Sequence, residues 1–211
     1  MTSATSSDRT SQEQLWAGDF GNDYIVRNRD STLLDNNRAL FEKILSHTQG
    51  VTSAIEFGPN IGNNLRAMRD LLPAVELHSV EINASAAAEI QAWGGATVEV
   101  ASLLDFTPSR QWDLSFTKGV LIHLPPQALP DVYDKLVAAS SRYVMVCEYY
   151  NPSPVEVSYR GHEHALFKRD FAGEILDAHH ELALVNYGFT YHRDPQHPLD
   201  DSTWFLMEKQ S

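Results

Sequence analysis

The sequence predicts an α/β fold: a Rossmann-like, doubly wound sheet of seven strands, helices on both faces, and a C-terminal antiparallel β-hairpin. Three observations carry this. First, the apolar strand in AIEFGPNIG (residues 54–62) runs into a glycine turn, a helical segment follows, and the next strand, LHSVEI, ends in Glu81. An open α/β sheet builds a nucleoside pocket in this way, at the carboxyl ends of its strands. Second, strand and helix patterns alternate down the chain. Third, two late strand-like runs have only a loop between them, as in a hairpin that adds a reversed edge to a parallel sheet.

In chain order, residues 33–47 show helical spacing through Leu33, Leu34, Leu40, Phe41, Ile44 and Leu45, ahead of a first strand at 51–57. A helix over 63–72 places Leu65, Met68 and Leu72 on one face, and Pro73 ends it. A strand at 75–82 and a helix at 84–93, stopped by Gly94-Gly95, come next. Strands at 97–101 and 113–117 lead to a helix over 127–140, whose inner face is Leu129, Val132, Tyr133, Leu136 and Val137. The fifth strand is 143–148. After a Pro-rich connector, Asp170 caps a helix over 170–179, and strands at 182–192 and 202–209 close the chain.

With 211 residues the chain has room for one domain with a good core. Its formal net charge is −12, and the largest basic cluster is the pair Lys168-Arg169. Nucleic-acid binding needs several phosphate-neutralising cations, so a nucleic-acid partner is not expected. No segment approaches the ~18 apolar residues that span a bilayer. The first residues, MTSATSSDRTSQEQ, lack an apolar signal core, so no membrane partner and a cytoplasmic location are expected. This polar stretch, 1–14, reads as a disordered tail. The single cysteine, Cys147, lies in an apolar strand and reads as core.

Candidate site residues sit at strand ends. Gly58 and Gly62 allow a tight turn and close approach of a ligand. A dinucleotide fingerprint counted from Gly58 would need glycine at positions 60 and 63, and both are asparagine. A pyrophosphate would therefore meet side chains, whereas S-adenosyl-L-methionine has no pyrophosphate. Glu81 accepts from both ribose hydroxyls in this reading, because an ionised carboxylate is acceptor-only; its neighbour Ile82 belongs to the same wall. Glu56 acts through the loop backbone or on the cofactor's amino group. Ser102 and Leu103 follow the third strand and suit an adenine edge and face. Lys118 and His123, in FTKGVLIHLPP, open from the fourth strand toward the crevice. His123 is a candidate catalytic residue, although a lone histidine is more often structural.

Together these blocks resemble the class I S-adenosylmethionine-dependent methyltransferases over residues 44–148, with a departure at Asn60, where a third glycine is common. A narrower resemblance covers most of the chain. WAGDFGNDYIVRN, FTKGVLIHLPP, CEYYNPSPVEVSYRGH, LFKRDFAGEIL and YGFTYHRDP are similar to the pseudaminic acid biosynthesis-associated methylases, small bacterial proteins linked to nonulosonic sugar pathways. This resemblance implies methyl transfer to N or O of a small-molecule acceptor, possible acceptors including amino sugars. Domain organisation then follows: a single domain over 15–211, with a helical cap or lid at 15–47, the cofactor core at 51–148, and acceptor-side elements at 149–211.

The segment after the fifth strand supplies acceptor-side candidates. Glu148 and Tyr149 are read as catalytic, and Asn151, Tyr159, Arg160 and His162 as substrate-binding. Arg160, Lys168 and Arg193 offer positive charge to a carboxylate or phosphate on the acceptor. Trp16, Phe20 and Tyr24 either brace the domain or close a lid, with Trp16 beside the cofactor and Tyr24 beside the acceptor. The scattered histidines give no ligand spacing, so no metal is expected. A cofactor-binding sensor or partner subunit is the alternative, with an NAD(P)-dependent reductase or epimerase behind it; the oligomer is read as monomer or homodimer.

Overall fold

The computed structural model describes residues 9–159 and 162–210. Five strands, β1 (Ser53–Phe57), β2 (Glu76–Glu81), β3 (Thr97–Val100), β4 (Trp112–Lys118) and β5 (Ser140–Glu148), run parallel. After a separate hairpin, β6 (Val155–Tyr159) and β7 (His162–Lys168), the chain adds β8 (Leu182–Phe189) and β9 (Thr203–Lys209). The large sheet has the order β3-β2-β1-β4-β5-β9-β8, with β9 antiparallel to both its neighbours. The direction of winding reverses between β1 and β4, which opens a crevice beyond their carboxyl ends.

Side chains alternate along the strands and load both faces. Ile55 and Phe57 of β1, with Val144 and Val146 of β5, face α6 (Leu129–Ala139) and α7 (Phe171–Ala178) through Leu129, Leu136, Phe171 and Ile175. Ala54, Phe116, Met145 and Cys147 face the other way. They pack with α3 (Ser31–Leu45), α4 (Asn63–Leu71) and α5 (Ala84–Trp93) through Phe41, Ile44, Leu65, Met68 and Ile90. Cys147 is fully buried, and burial pushes its thiol up to about 12, which suits a core role. Local signals in the sequence set the helix ends. Asn83 accepts from the Ala86 N–H to start α5, Gly94 ends it in the left-handed region, and Asp170 caps α7 on the Gly173 N–H.

Two segments differ from expectation. Helix α1 (Ser11–Ala17) starts inside the stretch read as tail, and the boundary drawn at Leu15 falls within it. The signal is a capping box: Thr10 caps the Glu13 N–H while the Glu13 carboxylate accepts from the Thr10 N–H. Helix α2 (Asp19–Arg27) follows directly and buries Gly21 and Ile25. The Pro-rich connector is the second difference. Beyond Pro154 it forms the β6–β7 hairpin, where Val157 and Tyr159 pack onto the main core and β-branched alternation outweighs the nearby prolines. No helix of the described residues is long and apolar enough to cross a membrane.

Candidate functional site

At the winding reversal the glycine turn is shaped by backbone geometry. Gly58 has φ 74°, and a Cβ there would lie 2.6 Å from Cγ2 of Val120. Asn60 also adopts positive φ, 51°, and its Oδ1 accepts from Asn28 Nδ2 at 2.9 Å. Asparagine is the non-glycine residue best suited to this region, so the departure at Asn60 keeps the turn. Gly62, φ 82°, is the N-cap of α4 and is buried behind the turn. Glu81 joins the ends of β1 and β2. Its Oε2 accepts from the Asn60 N–H and its Oε1 from the Asn83 N–H, both at 2.8 Å. Burial raises the Glu81 carboxyl above its usual range, against those backbone donors.

Two more carboxylates lie behind this surface. Glu148 points onto the backbone after β4, where its Oε1 accepts from Val120 and Leu121 and its Oε2 from Ile122. Burial pushes its carboxyl up to about 7 despite these donors. Glu56 is fully buried; its Oε1 accepts from Asn64 Nδ2 at 2.6 Å, and burial pushes its carboxyl up to about 8. The Asn64 bond and Lys118 pull the other way, and Glu81 adds to the rise. A carboxyl raised on folding stabilises the protein below its ordinary value, and that contribution is lost as pH climbs through the folded value. The free protein should therefore lose thermal stability between about pH 5 and 8, and Glu56→Gln should flatten that slope in calorimetry. Parallel slopes for the two proteins would count against a neutral Glu56.

Above the crevice lies a cavity of about 400 Å³. Of the cofactor-side candidates, Trp16, Gly58, Asn60, Glu81, Ile82, Ser102, Leu103 and Lys118 line it. So do His123, Tyr149, Tyr24 and Tyr159. His123 is buried between Trp16 and Tyr159, with ring centroids 4.7 and 5.1 Å away. The Tyr149 hydroxyl donates to Asp200 Oδ2 at 3.1 Å, and burial pushes the phenol above its usual range, with Asp200 adding to the rise.

Glu56, Gly62 and Glu148 stand behind the cavity wall, outside the lining. Asn151 turns back to donate to the Ser153 carbonyl, and Arg193 is exposed. Lys168 is held over the Tyr149 ring, 5.2 Å from its centroid, and does not line the cavity either. Arg160 lies outside the described residues, as does the His162 side chain. The acceptor-side wall thus offers Tyr149, Asp200, Thr190 and His192, and Lys118 is the one Lys or Arg of the described residues that reaches the cavity.

Several lining residues were not anticipated from the sequence. The Glu13 carboxylate accepts from Ser102 Oγ and from Thr10; although burial pushes it up, these bonds hold it below the ordinary range. The two N-terminal helices are tied to the crevice at further points. Asn83 Nδ2 donates to the Trp16 carbonyl and to Asn22 Oδ1, and Asn63 Nδ2 donates to the Asn28 carbonyl. A Cβ on Gly21 would lie 1.9 Å from the Trp16 carbonyl oxygen, so glycine is what lets α2 fold back against α1. The capping box was the legible sign of Glu13; nothing in the sequence marks Asp200, which comes from the loop between β8 and β9.

No family model and no curated protein matches the chain. Solved structures do match over nearly its whole length. The plantazolicin methyltransferase BpumL, in complex with SAH, is 12% identical with a TM-score of 0.68, covering 95% of each chain. Magnesium protoporphyrin IX methyltransferase from Synechocystis PCC 6803, with bound SAM, is 10% identical with a TM-score of 0.68, covering 96% of this chain and 99% of that one. The Burkholderia thailandensis 1,6-didemethyltoxoflavin-N1-methyltransferase, with its substrate and S-adenosylhomocysteine, is 11% identical with a TM-score of 0.71, covering 100% and 93%. At these identities the likeness is one of fold, and that fold is the Rossmann-like methyltransferase fold.

Proposed function

We propose that the protein is an S-adenosyl-L-methionine-dependent methyltransferase acting on N or O of a small-molecule acceptor. The observation that carries this is the Glu81 carboxylate, buried at the end of β2, lining the cavity and bridged to the positive-φ turn at Asn60. A ribose diol brings two donors to an acceptor-only group. The residues present fit the rest of the methyl donor as well: Ser102, Leu103 and Ile82 form a mainly apolar wall for an adenine, and the turn carries Asn60 and Asn63 where a dinucleotide fingerprint has glycine. Similarity in fold to methyltransferases with bound SAM or SAH supports the same cofactor.

The bound sulfonium supplies an electrophilic methyl carbon. The chain's work is to hold the acceptor atom in line with it, about 3 Å away. Trp16, Tyr24, His123 and Tyr159 shape the aromatic part of the chamber and exclude water. In this reading His123, which lines the cavity between Trp16 and Tyr159, takes the proton that a hydroxyl or ammonium acceptor loses. Tyr149, whose one proton goes to Asp200, offers its oxygen to an N–H or O–H of the acceptor and does not act as a base. Glu148 is a positioning residue that fixes the backbone of 120–122 from behind. The narrower resemblance to methylases of nonulosonic sugar pathways keeps amino sugars in the acceptor set.

Incubation with methyl-labelled S-adenosylmethionine and a panel of amino sugars, amines and carboxylic acids tests the proposal. Label transferred to one chemical class is the expected result. Tight cofactor binding with no transfer to any class would favour a sensor instead.

A further inference from the structure

The wall formed by Tyr149 and the β8–β9 loop turns its protons inward. The single hydroxyl proton of Tyr149 goes to Asp200 Oδ2 at 3.1 Å. Thr190 Oγ1 donates to the Asp200 carbonyl at 2.6 Å and accepts from the Ser202 N–H at 3.2 Å. His192 Nδ1 lies 2.8 and 2.9 Å from the two carboxylate oxygens of Asp201, and its backbone N–H donates to the same carboxylate. The bonds from the His192 ring and backbone hold the Asp201 carboxyl below its usual range. Asp201 is therefore an ionised, acceptor-only partner, so the ring proton sits on Nδ1 and the neutral imidazole presents a lone pair at Nε2. Asp200 Oδ1 has no donor among the described residues. These groups form one surface. Asp200 is bonded to both Tyr149 and Thr190, Asp201 is its chain neighbour, and Tyr149, Thr190, His192 and Asp200 all line the cavity.

We infer that this wall selects the acceptor molecule by hydrogen-bond polarity: it receives N–H or O–H donors from an amine- or hydroxyl-bearing group and turns away a carboxylate or a phosphate. The inference rests on the methyl-transfer reading and names the acceptor class for that site. An acid placed here would bring lone pairs against the lone pairs of Tyr149 and His192, and its charge against that of Asp200. Ser202 adds one neutral hydroxyl, which does not replace the hydration an anion gives up. The neighbouring cations are engaged elsewhere. Lys168 lies over the Tyr149 ring, outside the cavity lining, and acts on Asp201 through its charge. Lys118 acts on the buried carboxyls of Glu56 and Glu148. Asp200 and His192 are exposed to solvent, so water competes and the discrimination is modest, about tenfold, the scale of one hydrogen bond.

Probes that share a benzyl or phenyl ring and differ in the polar end test this: benzylamine, benzyl alcohol, benzyl methyl ether and benzoate. The alcohol and the ether are both neutral, so that pair separates hydrogen-bond polarity from charge. Each is titrated onto the S-adenosylhomocysteine complex of wild type and of Asp200→Asn. Affinities are read from the ring-nitrogen shifts of ¹⁵N-histidine-labelled protein, with His192 assigned by comparison with His192→Gln. The expected result is a His192 proton on Nδ1, with benzylamine and benzyl alcohol binding about tenfold more tightly than the ether and benzoate. Asp200→Asn puts an N–H₂ group into the wall and should bring benzylamine and benzoate within about threefold of each other. A His192 proton on Nε2, benzoate or the ether binding as tightly as the alcohol, an order unchanged in Asp200→Asn, or no shift with any probe overturns the inference. Binding of S-adenosylhomocysteine is measured first, by calorimetry. If wild type does not bind it, the methyl-donor reading fails, and the same probes titrated onto the free proteins decide the wall by the same criteria.

Discussion

Replacing Glu81 with alanine should weaken S-adenosylhomocysteine binding by about two orders of magnitude while leaving the fold intact. Two charge-assisted hydrogen bonds to a ribose contribute on the order of 1.5–3 kcal/mol each, and a loss of about 3 kcal/mol is about a hundredfold in affinity. The variant also frees the Asn60 and Asn83 N–H groups that the carboxylate now holds. The turn therefore loosens where the ligand would touch it. Glu81→Gln should do almost as badly. One face of its amide must present N–H₂ either to a backbone N–H or to the ribose, and both are donors. Calorimetric affinity, with far-UV circular dichroism as the control for folding, checks both variants. Near-wild-type affinity in Glu81→Ala would remove the main support for the nucleoside site.

Glu148→Ala should have the largest effect on stability. Its carboxyl is 2% exposed and accepts from three consecutive backbone N–H groups. Truncation leaves those donors buried and unpaired, at about 1 kcal/mol or more each. A total near 3 kcal/mol lowers the melting temperature by about 6–12 °C in a chain of this size. Cofactor affinity should fall with it, since Gly119, Val120, Ile122 and His123 line the cavity. Glu148→Gln retains an acceptor and should recover much of the stability. A Glu148→Ala protein that melts like wild type but has lost methyl transfer would show instead that the carboxyl takes part in the reaction.

The comparison of Glu148 and Glu81 shows what sequence could and could not reveal. Both are acids at the carboxyl ends of parallel strands, and each looks suited to a site from its position alone. Glu81 lines the cavity, whereas Glu148 turns inward onto the 120–122 backbone, and one rotation about the strand end decides between these outcomes. The succession of elements along the chain, by contrast, follows from local patterns: the β–α alternation and the late hairpin pair were legible, and so was the turn from Gly58 to Gly62. Asn60 was read as a weakened motif, yet it meets the same positive-φ requirement by a different residue.

Long-range partners were not legible. Glu13 meets Ser102 across 89 positions, and Asp200 meets Tyr149 across 51. Neither pairing leaves a local trace. The expectation of acceptor-side cations rested on Arg193 and Lys168 being near the right elements. The structure points Arg193 to solvent and packs Lys168 against the Tyr149 ring, because long cationic side chains gain most by keeping their charge in water or over an aromatic face. The hairpin β6–β7 was missed because two prolines precede it, and they act on their own positions rather than on the alternating residues that follow.

The central claim is tested most directly by a crystal structure of the protein with S-adenosylhomocysteine. The account predicts both ribose hydroxyls within about 2.5–3.0 Å of the Glu81 carboxylate, with the sulfur facing the chamber formed by Trp16, His123 and Tyr159. A nucleoside bound elsewhere, or a Glu81 carboxylate turned away from it, would contradict the account.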